Sequence, residues 1–307
     1  MEVLSKLLTS VVPLYLFIGV GYFASKWWNL KSKFLSKLML YALIPLLIID
    51  NILQADIAQL LIVVTIVFAL ALAMSVPAWF THQKLVKDFN PYLLYCGFSY
   101  FNVGWFGIPV VLALFGEKQM PLIISAYMGN VLYGDTIGYY LMSRSKDLPV
   151  KESVKNVIKI PAIYACAVAI VANLLGFKSP EFISPIMKVV SWIVSALGMV
   201  IIGIGLTKVN FKEIAYKMFG KLLGVRYVAA AVIMGLLVLA EMLLVGQLKS
   251  DEQKLLLLIP AFPIAANLVV FSSYLDTENE NASLLVSLSS LISLVIVPIA
   301  CLLLFAK

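Results

Sequence analysis

The chain has 307 residues, 62% of them hydrophobic and only 13% charged, with a formal net charge of +7. Soluble domains run at about 45–50% apolar and about 25% charged, so a single globular core cannot absorb this excess. The positive charge lies mostly in short connections between apolar blocks, which is a membrane-topology pattern and excludes a nucleic-acid partner as its cause.

Taken in chain order, residues 1–6 are a short polar lead, and no separate targeting peptide is expected, because the run that follows is too long for a signal core. Crossing the hydrocarbon layer takes roughly 20 apolar residues. The runs that reach or approach that length are 7–25, 38–54, 57–80, 89–116 and 119–143 in the first half. In the second half they are 160–177, 189–207, 222–248, 255–275 and 281–306. No alternating strand pattern accompanies them, and lipid demands that a spanning segment satisfy its own backbone. The expectation is an all-α polytopic membrane protein with ten transmembrane helices. Cys96, Cys166 and Cys301 sit singly inside apolar runs, so neither a disulfide nor a metal framework is expected.

Loop charge supplies an orientation. With the N-terminus outside, sixteen of the 23 Lys and Arg fall on the inward side, so both termini are expected outside. The most basic connection, residues 144–159, divides the chain into a first repeat over 1–143 and a second over 160–307. Five spans per half is an odd number, so the second repeat starts from the opposite face, the inverted-repeat plan of many carriers.

The fourth span of each half carries a matching irregularity. Span four contains Asn102 to Pro109 (NVGWFGIP) and span nine contains Pro260 to Asn267 (PAFPIAAN). Proline removes an amide donor and glycine loosens the helix, so Gly104, Gly107, Pro109, Pro260 and Pro263 are expected to break spans four and nine in mid-membrane. Paired breaks in corresponding spans point to a carrier's binding site. Asn102 and Asn267 are the first candidates for substrate contact, since each donates and accepts hydrogen bonds without a buried charge.

These residues resemble the auxin efflux carrier family, which includes plant auxin exporters and bacterial permeases for malate, malonate and related acids. The resemblance runs through residues 12–22 (VPLYLFIGVGY), 41–47 (YALIPLL), 102–109, Asn130 and 261–267 (AFPIAAN). It implies that the broken helices cross at Pro109 and Pro263. It also implies a transport domain of spans three to five and eight to ten, moving like an elevator against a scaffold of spans one, two, six and seven. The scaffold would form a homodimer in the cell (inner) membrane. The substrate would be a small organic anion held beside the crossing, with Asn130 added to the contact residues. No cofactor is implied.

Ionisable groups within spans are expensive and default to functional hypotheses. Asp135 departs from the family pattern, and two readings stay open: a carrier of a coupling proton, or a static partner of Arg226, the second being preferred. Asp50, toward the end of span two, is either a second coupling candidate lining a vestibule or a helix-end marker, and again the structural reading is preferred. Glu241 is expected at the membrane interface. One histidine, no metal-ligand pair and no nucleophile elbow argue against an intramembrane enzyme. A carrier of another substrate class on the same plan, coupled to sodium or protons, and a non-transporting sensor are the alternatives.

Overall fold

A computed structural model describes residues 12–54, 57–146, 148–209 and 214–305. Lys6, Lys212, the first residues of span one (7–11), the end of span ten (306) and the Pro109 side chain lie outside that description. Among the described residues the regular elements are all helical. They are α1 (Val12–Trp28), α2 (Ser32–Leu38), α3 (Ile44–Gln54), α4 (Ile57–Ala73), α5 (Ser75–Lys84), α6 (Pro91–Ser99), α7 (Ile108–Phe115) and α8 (Met120–Tyr133). After them come α9 (Tyr139–Arg144), α10 (Val150–Ile158), α11 (Pro161–Leu174), α12 (Ser184–Leu206), α13 (Tyr216–Leu244), α14 (Ser250–Leu258), α15 (Asn267–Leu275) and α16 (Asn279–Phe305).

Among the described residues, five continuous helical stretches are long and apolar enough to cross a bilayer: Ser32–Gln54, Leu61–Lys84, Glu181–Leu206, Tyr216–Leu244 and Asn279–Phe305. A sixth candidate is the pair α10 and α11, bent by 50° at its break. The other expected spans are shorter or interrupted within the described residues. The chain is therefore an all-helical membrane protein. Its outer surface agrees with that. One face of α13 exposes Val228, Val232, Leu236, Leu239 and Leu243 at helical spacing. A continuous apolar stripe of that length belongs against lipid or another protein. Trp27, Trp28 and Trp79 are likewise exposed near Lys26 and Lys84, where amphipathic rings favour the headgroup level.

Proline shapes two of the helices without ending them. A π-turn over Met39–Leu43 precedes Pro45, and another over Val103–Gly107 precedes Pro109. A proline ring clashes with the carbonyl four residues back, and widening the turn before it relieves that contact. In the second case Gly107 N–H donates to Asn102 O at 2.9 Å, five residues back. Helix α6 starts where Asn90 caps the amides of Tyr92 (3.0 Å) and Leu93 (3.2 Å) and Pro91 occupies the first turn. The connection expected to be a plain linker, 144–159, contains α10. Its Val150, Val154 and Ile158 form an exposed apolar stripe beside Lys151 and Lys155, an interfacial pattern that block length alone could not reveal.

The packing is closest between α1 and α12. A side-chain carbon on Gly21 would lie 2.0 Å from Val200 O, and one on Gly203 would lie 2.0 Å from Ile18 O. The two glycines let the helix backbones touch, a small-residue contact typical of membrane interiors. Gly203→Val is expected to lower the thermal transition in detergent by several degrees, since overpacking costs about 1–3 kcal/mol. Gly19→Val, which meets nothing within 4 Å, is the control and should leave the transition unchanged.

Candidate functional site

Two helices stop in the middle of the molecule and touch where they stop. The first ends with α6 at Ser99, runs extended through Tyr100 and resumes at Val103. The second ends with the 3-10 turn Ile259–Ala261 that follows α14, and resumes as α15 at Asn267. Asn102 N–H donates to Pro263 O across the contact at 2.8 Å. The rings of Phe106 and Phe262 pack edge to face at 5.6 Å, and a side-chain carbon on Gly107 would meet the Phe262 ring at 2.6 Å. Gly104 is restricted in the same way by the ring of Tyr127 at 2.6 Å. The first break therefore centres on Asn102 and not on Pro109, which lies in the opening turn of α7. Proline is tolerated in a first turn because its missing donor would be unpaired there anyway. Pro263 does lie in the second break, and Pro260 in the 3-10 turn that leads into it.

Interrupted helices leave backbone groups without partners, and here specific side chains supply them. Arg226 of α13 is fully buried and bonds both broken ends. Its Nε donates to Gly97 O at 3.0 Å, Nη2 to Tyr100 O at 2.9 Å and Nη1 to Phe262 O at 3.3 Å. Its guanidinium also lies 4.6 Å from the ring centroid of Phe101. Asn130 Oδ1 accepts from Phe101 N–H at 3.2 Å. From α16, Ser293 Oγ donates to Ala261 O at 2.8 Å and Ser289 Oγ accepts from Ile264 N–H at 3.0 Å.

The preferred pairing of Asp135 with Arg226 is therefore incorrect. Carbonyls at two helix C-termini concentrate partial negative charge, and Arg226 spends its donors on them. Neither carboxylate oxygen of Asp135 has a hydrogen-bond partner, although the residue is only 3% exposed.

On the other side of the contact the resuming helices begin. Asn102 caps the first by accepting from Trp105 N–H at 3.2 Å, and its Nδ2 is buried without a partner. Asn267 is the first residue of α15 and is half-buried. These two asparagines line one small cavity together with Asn130, Gly104, Tyr127 and Trp105. Its volume is only about 10 Å³, so the crossing is nearly closed. The structure thus gathers the three sequence candidates and leaves Asp50 and Asp135 out of that lining. Asp50 accepts from Gln54 Nε2 at 2.8 Å and from Ser179 Oγ at 2.5 Å, which ties the end of α3 to the segment after α11. Glu241, near the end of α13, is buried; it accepts from Gln247 and Leu248 N–H, each at 2.9 Å, and so folds the turn before α14.

A profile of the family described as membrane transport protein matches residues 6–301. The chain belongs to that family. It is the auxin efflux carrier family that the sequence motifs resemble, so the protein is a membrane transporter and not an enzyme. The chain is also similar to an uncharacterized transporter of Methanocaldococcus jannaschii, at 25% identity over 207 residues, covering 64% of this chain and 67% of the relative.

Sequence reading missed the capping role of Arg226 and the lining aromatics Tyr127 and Trp105. A lone arginine in an apolar span next to two broken spans was the available signal, since cations stabilise helix C-termini. Arg226→Met should destabilise the protein by about 3 kcal/mol or more, from loss of charge-assisted hydrogen bonds to three buried carbonyls. Arg226→Lys should recover only part of that, because one ammonium does not reproduce the planar fork. Thermal unfolding in detergent measures both.

Proposed function

We propose that the protein is a secondary carrier of small organic anions and binds its substrate in the cavity beside the helix crossing. The observation that carries this reading is the convergence of Asn102, Asn130 and Asn267 with the first turns of two broken helices on one cavity. Helix N-termini present free amides and partial positive charge, which suit a carboxylate. Asn102 Nδ2 is a buried donor still lacking an acceptor, and a carboxylate oxygen is such an acceptor.

In this reading ten spans form two inverted five-helix repeats, 1–143 and 160–307, with broken spans four and nine at the symmetry-related positions. Two of the tightest helix pairings support it. Helix α1 packs on α12, and α11 packs on α3. As spans these are one with seven and six with two, which exchange when the two halves are swapped. Spans one, two, six and seven then make the scaffold, paired as a homodimer through it. The crossing rides in the remaining spans and moves past the scaffold as an elevator in the cell membrane, with both termini outside.

Uptake of radiolabelled malate, malonate and indole-3-acetate into proteoliposomes tests the reading. Saturable flux of one acid is expected, with both Asn102→Ala and Asn267→Ala reducing it. Asn102→Asp separates binding from folding. An aspartate keeps the cap on Trp105 but removes the amide donor and opposes an anion. It should leave the thermal transition in place and cut uptake by about tenfold or more, a loss of about 1.4 kcal/mol of binding or more. Flux unchanged in Asn102→Asp contradicts the crossing as the site. No flux of any acid redirects the protein to another substrate class or to a sensor.

A further inference from the structure

Asp135 is a buried acid whose two carboxylate oxygens have no hydrogen-bond partner among the described residues. It lies in a π-turn, Gly134–Gly138, on the helical run from Met120 to Arg144. Such turns within α-helices concentrate at functional positions. This one is held open by the protein itself. Tyr100 Oη donates to Gly134 O at 3.1 Å, Cys96 Sγ donates to Gly138 O at 3.4 Å, and Thr136 Oγ1 donates to Leu132 O. The same run carries Asn130, five residues before Asp135 and so about 7 Å away along the axis. The acid and the candidate substrate contact therefore belong to one rigid element.

The surroundings of the carboxyl are specific. It lines a second cavity, separate from the crossing, between this helix and α11, whose wall there is Ala162, Ile163, Cys166 and Ile170. Its volume is about 250 Å³. Asp135 makes no hydrogen bond or ion pair among the described residues. The titratable groups close enough to interact with it are Tyr100, Tyr127, Tyr139 and Cys166, and none of them is a cation. An isolated buried carboxylate is among the least stable states a side chain can adopt, and one proton removes the charge. A metal ion is a poor substitute. Hard cations need several oxygen ligands, the α11 wall is apolar apart from a thiol, and the Thr136 hydroxyl is already committed to Leu132. No cluster of potential metal ligands exists among the described residues.

We infer that Asp135 is the proton-binding site of the carrier, loading one proton for each anion moved. The inference rests on the carrier reading above and extends it. Helix α11 belongs to the scaffold in that reading and the Asp135 helix to the moving part, so the cavity is the seam along which they slide. With the anion aboard, protonating Asp135 removes one of the negative charges that must pass the apolar wall, so anion and proton cross together. The carboxylate takes a proton on the side of lower pH, the loaded element crosses, anion and proton leave on the other side, and the empty element returns carrying the carboxylate's charge alone. One proton enters on one side and leaves on the other per cycle. Accumulation runs toward the alkaline side.

The test uses full-length protein in proteoliposomes, with malate or malonate as the probe. Wild type should accumulate the anion when the exterior is made acidic, and a protonophore should abolish this. Asp135→Asn mimics the neutral acid without a proton to release. It should keep anion exchange between equal pools and lose accumulation driven by the pH gradient. Asp135→Glu restores a titratable group and should restore coupling. Gradient-driven accumulation that persists in Asp135→Asn overturns the inference. So does loss of exchange in that variant while it still binds the anion and melts like wild type, or a wild type driven by sodium and not by protons. If wild type moves no acid at all, the carrier reading fails. Infrared difference spectra of the reconstituted protein then decide the site on their own. A carboxyl band that titrates in wild type and vanishes in Asp135→Asn supports the proton site, and its absence overturns it.

Discussion

Breaking a helix inside a membrane exposes peptide groups where no water can satisfy them, and the rest of this fold is arranged around that fact. Two helices are broken here, and they are broken against each other. The contact from Asn102 N–H to Pro263 O settles one donor and one acceptor directly. The remainder fall to side chains from three other helices: Arg226 of α13, Asn130 of α8, and Ser289 and Ser293 of α16. Each of these helices must hold its register for its side chain to reach. The local irregularity thus organises a large part of the bundle.

The arrangement also separates charge. The C-terminal ends of the broken helices share one buried guanidinium, and the starting ends open onto a cavity furnished with neutral amides. Protein groups satisfy the C-termini of the helices that stop, and the N-termini of the helices that resume face the cavity. That asymmetry suits an anion. In the proposed carrier, a lysine or arginine in this lining, added to two positive helix ends, would hold a carboxylate too firmly to release it on the far side; the lining has asparagines instead. Asparagine gives the orientation of a hydrogen bond at low electrostatic cost.

Membrane class was legible in the length of the apolar runs, and the paired breaks were legible because proline, glycine and asparagine recur together in spans four and nine. Their detail was not legible. Pro109 looked like the breaking residue, yet the chain parts at Asn102, because a proline in a first turn is compatible with a helix and an asparagine in a cap ends one. Arg226 and Asp135 looked like partners, since an acid and a base at matching depth in two spans usually are. What decided otherwise was the set of carbonyls released by the breaks, a demand that arises only once the two helices are brought together. The interfacial helix Val150–Ile158 was hidden for a different reason, since a short amphipathic segment is missed when only long apolar blocks are sought.

The central claim is that a carboxylate occupies the cavity formed by Asn102, Asn130 and Asn267. An experimental structure determined with malonate or malate present tests it most directly. The account predicts the anion seated at the first turns of the two resuming helices, with a carboxylate oxygen within hydrogen-bond distance of Asn102 Nδ2. An anion found instead among Lys33, Lys37 and Lys146, which line a separate basic pocket, with the crossing cavity empty, would contradict it.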